Sequence, residues 1–454
     1  MLSHYTNSGF PTFALFRRAP TRIRARAWSE GMSVPDRLYY ADSFLKSFPA
    51  AVTDVRELSR AEGESVWQIA LDRTAFYPTS GGQPYDAGHL RAVSPGGATL
   101  DIAVESVEED DQGQVWHYVR KPLAAGAKVE GHLDWQRRFD HMQQHTGQHL
   151  LSAIFLRELN APTVSFHLGD TASTIDVAGG PFARHSLDRV EDLANEIIAE
   201  DRGVTARAVP RSEAESMLSA GDLRKLPPRS GEIRLIEIEG VDRNACGGTH
   251  VRSTGQIGAL LVRGTEKVSR GLRIEFVCGL RAVHAARADA AVLSQLTASL
   301  STGAADIPAA IERLRADSKT GAKERQRLRE ELADYHAARL AVEVPIENNL
   351  RFVDRVWKDR DPEYIRLLAS RLTSAAPSTI VLLCSAGTSP ASVVLASSVG
   401  FRFNCGVILK DALTALGLRG GGSPDFAQGE VPIEQLPALR SSVIKALQTA
   451  ATES

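Results

Sequence analysis

The sequence predicts an α+β protein of several domains, in which a small antiparallel β-barrel-like subdomain precedes an α+β core, a helical arm and a C-terminal α/β domain. Its 454 residues exceed what a single hydrophobic core usually supports. Residues 52–132 alternate short β-rich runs with glycine and proline turns, which is typical of a small antiparallel sheet. Residues 282–342 are instead rich in alanine, leucine and charged residues at helical spacing.

Composition places the chain among ordinary globular proteins. Hydrophobic residues make up 43% and charged residues 24%, which argues against extensive disorder. The 53 lysines and arginines are balanced by 55 acidic residues, so a nucleic-acid contact requires local basic patches. No apolar run reaches the roughly 18 residues of a membrane-spanning helix, so we expect no membrane partner.

Cysteine usage favours the cytoplasm. Cys246, Cys278, Cys384 and Cys405 are widely spaced and form no CxxC pair. This pattern fits reduced thiols better than a disulfide framework. We therefore expect a cytoplasmic protein.

The chain divides into five predicted segments. They are an extension at 1–31, the β-rich subdomain at 32–130, the α+β core at 131–280, the helical arm at 281–345 and the C-terminal domain at 346–454. The extension is rich in arginine and has one acidic residue, Glu30, as organellar transit peptides do. The alternative, which we favour, is a start at Met32, and in either case the extension lies outside the fold.

Local patterns predict individual elements. Residues 140–156 predict a partly buried helix, and DRVEDLANEIIAEDRG predicts a helix ended by Gly203. The runs VSFHLGD, STIDVAG and EIRLIEIEG predict strands. In the arm, the apolar spacing lapses between Arg315 and Arg327, which argues against one long coiled coil. In the C-terminal domain STIVLLC, ASVVLASS and CGVILK predict strands, and RGGGSPDFAQGE predicts a loop.

Two pairs of potential metal ligands stand out. His145 and His149 are four residues apart on the predicted helix, so both imidazoles leave the same face. Such a pair is weak by itself, but the run NACGGTH adds Cys246 and His250, also four apart, in a glycine-rich turn. Together the four side chains predict one Zn²⁺ ion per chain, because nitrogen and sulfur ligands in this number suit zinc.

The same four ligands also fit a structural zinc that does no chemistry. Catalytic zinc sites usually keep one position open, whereas four protein ligands fill a tetrahedron. A catalytic role then requires that one ligand leaves, that coordination expands to five, or that zinc only orients the substrate. A metalloprotease is disfavoured, because HTGQH lacks the glutamate of HExxH.

Four motifs carry a family resemblance, in the order LDRTAFYPTSGGQPYDAG at 71–88, HMQQHTGQHLLSA at 141–153, ACGGTHV at 245–251 and RGGGSPDFAQG at 419–429. From Met32 onward the chain resembles the alanyl-tRNA editing proteins in their long form, whose C-terminal domain is like that of alanyl-tRNA synthetase. The first three motifs belong to the editing fold that alanyl- and threonyl-type editors share. Only 113 residues, 32–144, precede the first zinc motif, too few for an amino-acid-activating domain as well.

The resemblance implies a zinc-binding editing core and a zinc-dependent aminoacyl-tRNA hydrolase, a carboxylic ester hydrolase. The residues that match the family's zinc ligands are His145, His149, Cys246 and His250. Those that match its substrate-binding loop are Thr74, Gly81, Gly82 and Gln83. Within this loop Gln83 and Thr74 are the candidate catalytic residues, with Thr74 as the expected partner of a seryl hydroxyl. Ser80 departs from the family, in which many members have a third glycine at that position.

The implied reaction is hydrolysis of the ester that joins a wrong amino acid to tRNA(Ala). The implied substrates are chiefly seryl-tRNA(Ala) and secondly glycyl-tRNA(Ala). A pocket that bonds the serine hydroxyl leaves its own group unpaired when alanine enters, and this mismatch spares alanyl-tRNA(Ala). Zinc polarises the carbonyl, lowers the pKa of water or holds the substrate, and the sequence does not decide between these roles.

The expected partner is tRNA(Ala) that carries the wrong amino acid. Arg224, Lys225 and Arg229 form a local basic patch, and the backbone of Gly420, Gly421 and Gly422 offers N–H groups to phosphate. For both segments a solvated surface loop is the alternative. A homodimer through the helical arm or the C-terminal domain is a further expectation.

Two rival functions accompany this interpretation. The first is a non-catalytic tRNA-binding protein with a structural zinc. The second is a phosphodiesterase, since the C-terminal domain resembles one also found behind nuclease domains. The chain has no paired Asp-His-His metal motif to support the second rival.

Residues 1–31 are expected to be dispensable for deacylation, because their composition matches no part of the resembling fold. A chain of residues 32–454 should hydrolyse seryl-tRNA(Ala) in vitro at the rate of the full chain. A large loss of turnover in this assay would contradict the expectation.

Overall fold

The computed structural model describes residues 35–61, 64–93, 97–228, 231–387, 389–401 and 403–452. The chain forms two compact units, Met1–Val292 and Leu293–Ser454. The extension at 1–31 and Met32 lie outside the described residues, so the expectations about them stay predictions. The five predicted segments are finer than the two units and also stay predictions.

The first unit combines a barrel, two smaller sheets and a set of helices. Its strands are β1 (Asp36–Arg37), β2 (Ser47–Ala61), β3 (Glu64–Leu71), β4 (Arg73–Thr74), β5 (Gly88–Val93), β6 (Thr99–Glu109), β7 (Val115–Val119), β8 (Lys128–Leu133), β9 (Thr163–Leu168), β10 (Ser173–Val177), β11 (Val204–Val209), β12 (Ile233–Ile238), β13 (Asp242–Ala245), β14 (Leu260–Val268) and β15 (Gly271–Cys278). Its helices are α1 (Leu38–Ala41), α2 (Trp135–Leu159), α3 (Arg184–Ala199), α4 (Arg211–Ala220) and the start of α5 (Leu280–Leu300).

The predicted β subdomain is a closed antiparallel barrel with the strand order β2-β3-β7-β6-β5-β8. Closure gives each of these six described strands a neighbour on both sides, so the barrel has no edge strand. Large side chains such as Phe48, Ile69 and Leu90 fill its interior. The sequence prediction of an antiparallel β-barrel-like subdomain is therefore confirmed.

Helix α2 is the central element of the first unit, and it packs against β9, β10 and β15 of the sheet β14-β15-β10-β9. The helix is longer than the predicted range of 140–156, because the residues that cap its two ends lie outside the apolar run from which it was predicted. At its start the Asp134 carboxylate accepts a hydrogen bond from the N–H of Arg137, and Asn160 ends it in the left-handed conformation at φ 48°. Most of its residues are buried, polar ones included, which is what a helix that carries a site requires.

Helix α3 corrects one predicted boundary. It ends at Ala199 and not at Gly203, because Glu200 already caps it and Asp201 turns the chain at φ 51°. Gly203 instead forms an isolated bridge with Ser253. The strands predicted at VSFHLGD, STIDVAG and EIRLIEIEG are confirmed as β9, β10 and β12.

The second unit is a five-stranded sheet between two helical layers. Its strands are β16 (Arg351–Trp357), β17 (Thr379–Ser385), β18 (Ala391–Ser397), β19 (Gly420–Gly422) and β20 (Phe426–Val431), and its helices are α6 (Ile307–Glu343), α7 (Pro362–Ala375), α8 (Cys405–Thr414) and α9 (Leu436–Thr452). The strand order is β16-β17-β18-β20-β19, and only the β16–β17 pair is parallel among these described strands. Helices α6 and α7 share one core with the sheet, and α8 and α9 share another.

Two predictions in the second unit are wrong. CGVILK belongs to α8, whose first turn is capped by the Asn404 side chain at the N–H of Val407. RGGGSPDFAQGE contains the strand pair β19 and β20 instead of one loop. Glycine at position 406 lets α8 approach β19, because a Cβ on Gly406 would lie 2.4 Å from the carbonyl oxygen of Gly422.

Helix α6 runs without a break through 37 residues, across the stretch where the apolar spacing lapses. Ion pairs along the helix, such as Arg315–Glu312 and Arg327–Glu324, stabilise that polar stretch without a coiled-coil partner. Within the described ranges, none of the helices combines the length and the apolar character needed to cross a bilayer.

Candidate metal centre and its cavity

Helix α2 and the turn after β13 bring the four predicted metal ligands together. The ligand atoms of His145, His149, Cys246 and His250 all lie within 4.8 Å of one another. Cys246 Sγ is 3.4 Å from His145 Nε2 and 3.3 Å from His250 Nε2. In a tetrahedral zinc site, bond lengths of about 2.3 Å to sulfur and about 2.0 Å to nitrogen separate these atoms by about 3.5 Å. The cluster therefore has the spacing of one metal site.

The orientation of His145 is set by Gln83. His145 Nδ1 lies 2.8 Å from Gln83 Oε1, and the same oxygen accepts the backbone N–H of Thr249 at 3.0 Å. Because a backbone N–H can only donate, the amide atom that faces it is the oxygen. His145 Nδ1 must then carry the proton, which leaves Nε2 free to bind a metal.

Thr146 orients His250 in the same way. The Thr146 hydroxyl donates its single proton to the carbonyl oxygen of Met142 at 2.8 Å. It therefore accepts from His250 Nδ1, which lies 3.1 Å away. His250 Nε2 is left as the lone-pair nitrogen and faces Cys246 Sγ.

Asp242 lies behind the third imidazole, that of His149. Its Oδ2 lies 3.3 Å from His149 Nδ1, an ion-pair contact that is not aligned as a full hydrogen bond within the described part of the chain. Arg224 and Asn244 hold the same carboxylate, whose side chain is only 7% exposed. A carboxylate behind a metal-binding imidazole raises its basicity and fixes its ring orientation.

The electrostatics suit metal binding. Burial opposes ionisation of Cys246, but His145 and His250 outweigh it and hold the pKa of this thiol well below its usual range. Burial and neighbouring His145 hold the pKa of His250 well below its usual range. Burial alone would lower the pKa of His149, but Asp242 and Cys246 raise it to about 9. Metal binding to this cluster is therefore coupled to proton release.

Arg234 of β12 holds the turn that carries Cys246 and His250. Its guanidinium donates to the carbonyl oxygens of Cys246 at 3.0 Å and Gly248 at 2.7 Å. A Cβ on Gly248 would lie 2.1 Å from His145 Cε1, so only glycine allows the turn to approach the imidazole this closely.

A buried ion pair fastens the predicted substrate loop to α2. Arg138 and Asp86 are fully buried, and the Arg138 guanidinium donates to both carboxylate oxygens of Asp86. Asp86 also accepts the backbone N–H of Tyr77 at 2.6 Å. Gly81 and Gly82 then turn the chain at φ 53° and 81°. This anchoring presents the loop to the metal cluster.

The predicted loop residues divide into two groups. Gly81 lines the cavity beside the metal ligands. Gly82 packs closely on Phe166, and a Cβ added at Gly82 would lie 2.6 Å from the ring. Gln83 is fully buried behind His145, where it positions a ligand. The structure therefore brings Gln83 to the centre as a positioning residue, and its predicted contact with substrate stays a prediction.

Thr74 lies apart from this cavity, inside the barrel. His117 Nδ1 faces the carbonyl oxygen of Ile69 at 3.0 Å and must donate to it, so His117 Nε2 accepts. Burial lowers the pKa of His117 to about 4 and keeps the ring neutral. The Thr74 hydroxyl therefore donates to His117 Nε2 at 2.9 Å and accepts the N–H of Phe76 at 3.1 Å. The predicted role of Thr74 in binding a seryl hydroxyl stays a prediction.

A cavity of about 490 Å³ adjoins the metal cluster, and His149 and Cys246 form part of its lining. One wall is neutral and polar, with Gln148, Ser152 and Thr163. The rest of the lining includes the aromatic residues Tyr39, Tyr40, Tyr77 and Phe166, the basic residues Arg224 and Lys225 and the acidic residues Glu109 and Glu232. The cavity thus offers polar, aromatic and charged groups beside the four potential metal ligands.

The predicted tRNA-binding residues fall in different places. Arg224 and Lys225 line the cavity, although Arg224 is also bonded to Asp242. Arg229 lies outside the described residues. Gly420–Gly422 form edge strand β19 of the second unit, where they pair with β20. Their role in tRNA binding stays a prediction.

Sequence reasoning missed several residues of the site. Thr146 and Gln148 stand between the two helical ligands, and Asp242 lies four positions before Cys246. The sequence did indicate these three residues, because Thr146 and Gln148 are polar residues within a predicted buried helix and Asp242 is a polar residue close to the turn that carries Cys246. Arg234 gave no such indication, because its contact with the ligand turn depends on the pairing of β12 with β13.

Comparison with known proteins agrees with this fold and site. Family models match three stretches: tRNA synthetases class II (A) at residues 24–137, the threonyl and alanyl tRNA synthetase second additional domain at 233–275, and the DHHA1 domain at 351–449. The first match begins inside the segment 1–31, which we expected to lie outside the fold.

Individual relatives extend the similarity over most of the chain. Alanyl-tRNA editing protein AlaX-L of Pyrococcus horikoshii is 32% identical over 407 residues, 87% of this chain and 94% of that protein. Alanyl-tRNA editing protein AlaX-M of Methanosarcina mazei is 39% identical over 233 residues, 49% of this chain and 87% of that protein. The alanine–tRNA ligase of Pyrococcus abyssi is 32% identical over 425 residues, but the chain spans only 43% of its length.

The barrel, the His and Cys cluster and the synthetase-type matches together define a protein of the tRNA synthetase editing class. Because the similarity to the AlaX-L relative covers nearly all of both chains, the chain belongs to the alanyl-tRNA editing protein family, in its long form. The resemblance inferred from the four sequence motifs is confirmed.

Substitution of Gly248 by alanine is expected to weaken metal binding by more than about tenfold, because the new Cβ displaces His145. The metal affinity is measured by competition with a chelating indicator. Gly264→Ala is the matched control, since no described atom lies within 4 Å of its Cβ position. Equal affinities of the two variants would contradict the packing argument.

Substitution of Asp242 by asparagine is expected to lower metal affinity about 10–100-fold, the usual effect of losing the carboxylate behind a metal-binding histidine. The lost orientation of His149 outweighs its easier deprotonation. Glu237→Gln removes a carboxylate from neighbouring β12, where it pairs with Arg243, and should leave the affinity unchanged. An unchanged affinity in Asp242→Asn would remove Asp242 from the metal centre.

Proposed function

We propose that this protein is a zinc-dependent hydrolase that removes wrong amino acids from tRNA(Ala), chiefly from seryl-tRNA(Ala) and secondly from glycyl-tRNA(Ala). The observation that carries the proposal is the convergence of three imidazoles and one thiol beside a cavity that His149 and Cys246 line. The names of the AlaX-L and AlaX-M relatives, alanyl-tRNA editing proteins, support the same reaction.

The proposed zinc ligands are His145, His149, Cys246 and His250. Two imidazoles hydrogen-bonded through Nδ1 and a thiol with a lowered pKa are in the states that bind zinc, which supports this choice of metal. When bound, zinc supplies Lewis-acid chemistry to the ester carbonyl or to water, or holds the substrate in register.

The chain's own residues are proposed to bind and orient the substrate. Tyr40, Tyr77 and Phe166 offer aromatic surface for the terminal nucleoside, and Lys225 offers a positive charge for its phosphate. The partly enclosed cavity limits the water that reaches the ester. Gln83 and Thr146 hold the ligand imidazoles in fixed tautomers while the ester is bound.

The cavity favours catalysis over the rival of a tRNA-binding protein with a purely structural zinc. A structural zinc is usually enclosed by its four ligands and their supporting turn. Here His149 and Cys246 both line an open cavity large enough for an aminoacyl group. Contacts of Gly420–Gly422 with the tRNA, the homodimer through the helical arm or the C-terminal domain and the cytoplasmic location stay predictions.

Full-length protein is expected to contain one zinc ion and to release serine from seryl-tRNA(Ala). Combined Cys246→Ala and His250→Ala substitutions should abolish zinc binding and lower deacylation by about 100-fold or more, because a Lewis acid supplies several kcal/mol of transition-state stabilisation. Metal analysis and release of labelled serine are the measurements.

Cys384→Ala is the control variant, since Cys384 is a buried thiol of the second unit. It should keep both zinc and activity. Zinc without any hydrolysis of seryl-tRNA(Ala) would favour the structural-zinc rival, and cleavage of a bare oligonucleotide would favour a phosphodiesterase.

A further inference from the structure

Helix α6 carries a strongly basic stretch, and its interpretation rests on the proposed function in taking tRNA as the partner. Residues 313–329 contain seven lysines and arginines but only two acidic residues, Asp317 and Glu324. The whole chain has a net charge of −2, so this excess of positive charge is local. A protein of balanced overall charge needs such a local patch to bind a nucleic acid.

This stretch of α6 is exposed to solvent. Residues 311–328 are all exposed except Gly321, which is partly buried. The buried residues of the helix lie nearer its two ends, up to Ala310 on one side and from Ala333 on the other. Packing within the fold therefore does not account for the basic side chains between these two positions.

Four of the basic residues recur at intervals of four positions. They are Arg315, Lys319, Lys323 and Arg327, which we call the basic stripe, and residues four apart on a helix lie on one face. Each interval advances about 6 Å along the helix axis, so the basic stripe extends over about 18 Å. This row of cations is complementary to the row of negative charges that consecutive phosphates of a nucleic-acid strand present.

The two central residues of the basic stripe have no partner of opposite charge. The two outer arginines each pair with a glutamate of the same helix. Within the part of the chain that the structure describes, the ammonium groups of Lys319 and Lys323 form neither an ion pair nor a hydrogen bond. Their charges are therefore not neutralised inside the fold, and they can contact an external anion without breaking an existing interaction.

A second helix is a poor partner for this face of α6. Continued from Lys323 at spacings of three and four, the same face reaches Ala333, Ala337 and Leu340. These three residues are buried in the core that α6 shares with α7. Helix packing thus uses small or apolar side chains on this face, whereas a helix on the basic stripe would bury two unpaired ammonium groups. A phosphate backbone neutralises these groups without burying them.

We propose that the basic stripe of α6 binds the phosphate backbone of tRNA, with Lys319 and Lys323 at its centre. The contact is electrostatic and independent of base sequence, because phosphates carry no sequence information. It adds affinity for the tRNA and leaves the choice of amino acid to other residues. The basic stripe belongs to the second unit, whereas the metal cluster belongs to the first.

The test measures binding of the full-length protein to unacylated tRNA(Ala) over a range of salt concentrations. The double variant Lys319→Gln with Lys323→Gln removes two charges at exposed positions, so the fold and the zinc content should not change. We expect its affinity at low salt to fall about tenfold or more. The slope of log affinity against log salt should become shallower by about two, since each lost phosphate contact lowers it by about one.

Two matched variants separate the basic stripe from net charge. Arg313→Gln with Arg325→Gln removes two charges from the same exposed stretch, but from other faces of the helix. Arg325 lies beside Gly321, whose Cβ position is 3.6 Å from its Nη1 atom. This variant should change the slope much less than the lysine variant does. Lys319→Arg with Lys323→Arg keeps both charges and should keep both the affinity and the slope.

Three results would overturn the proposal. Unchanged affinity and slope in the Lys319→Gln and Lys323→Gln variant mean that the basic stripe is only a solvated surface. Equal losses in this variant and in the arginine variant mean that only the net charge of α6 matters. Binding to vesicles of anionic phospholipid that depends on both lysines, together with unchanged tRNA binding, assigns the basic stripe to a membrane surface.

Failure of the proposed function gives a different pattern. Unacylated tRNA(Ala) has no ester, so the binding measurement does not depend on hydrolysis. With seryl-tRNA(Ala), the lysine variant should show a raised KM and an unchanged kcat, because the basic stripe holds the tRNA and takes no part in the chemistry. Salt-dependent binding through the two lysines without hydrolysis of any aminoacyl ester would contradict the hydrolase alone. Hydrolysis with an unchanged salt slope would contradict the basic stripe alone.

Discussion

The whole site depends on one geometric constraint, namely that three imidazoles and one thiol converge on one point. Each ring has a polar group beside its Nδ1 atom, which is hydrogen-bonded to it in His145 and His250 and in ion-pair contact with it in His149. The partners come from the barrel loop with Gln83, from α2 with Thr146 and from β13 with Asp242. The ligands are therefore aligned only when barrel, helix and sheet are packed together, so the metal centre also reports on correct assembly of the first unit.

The ligands were predictable from sequence, whereas their supporting residues were not. Spacing of four residues places two histidines on one helix face, and this local rule found both ligand pairs. Gln83 lies 62 positions from His145, and the contact of Thr74 with His117 spans 43 positions. Because no local pattern encodes such contacts, the sequence left Asp242, Thr146 and Arg234 unassigned.

The same division between local and distant information applies to the fold. The barrel and helix α2 were predicted because their periodicity extends over many residues. CGVILK is too short an apolar run to distinguish a strand from a buried helix, although the capping Asn404 precedes it. In β19, a Cβ on Gly420 would lie 2.3 Å from Leu413 Cδ1 of α8, and a Cβ on Gly422 would lie 2.1 Å from the carbonyl oxygen of Phe426. These close contacts arise only when α8 and β20 pack against the glycines, so the glycine run by itself predicted a loop.

Helix α2 carries two of the potential metal ligands and part of the cavity wall on one element. His145 and His149 occupy positions four apart, and Gln148 and Ser152 of the same helix line the cavity. A substitution at position 148 or 152 thus changes the cavity wall while the spacing of the two ligands stays intact. In evolutionary terms, the lining of such a cavity can vary by single exchanges that keep both ligands of the helix.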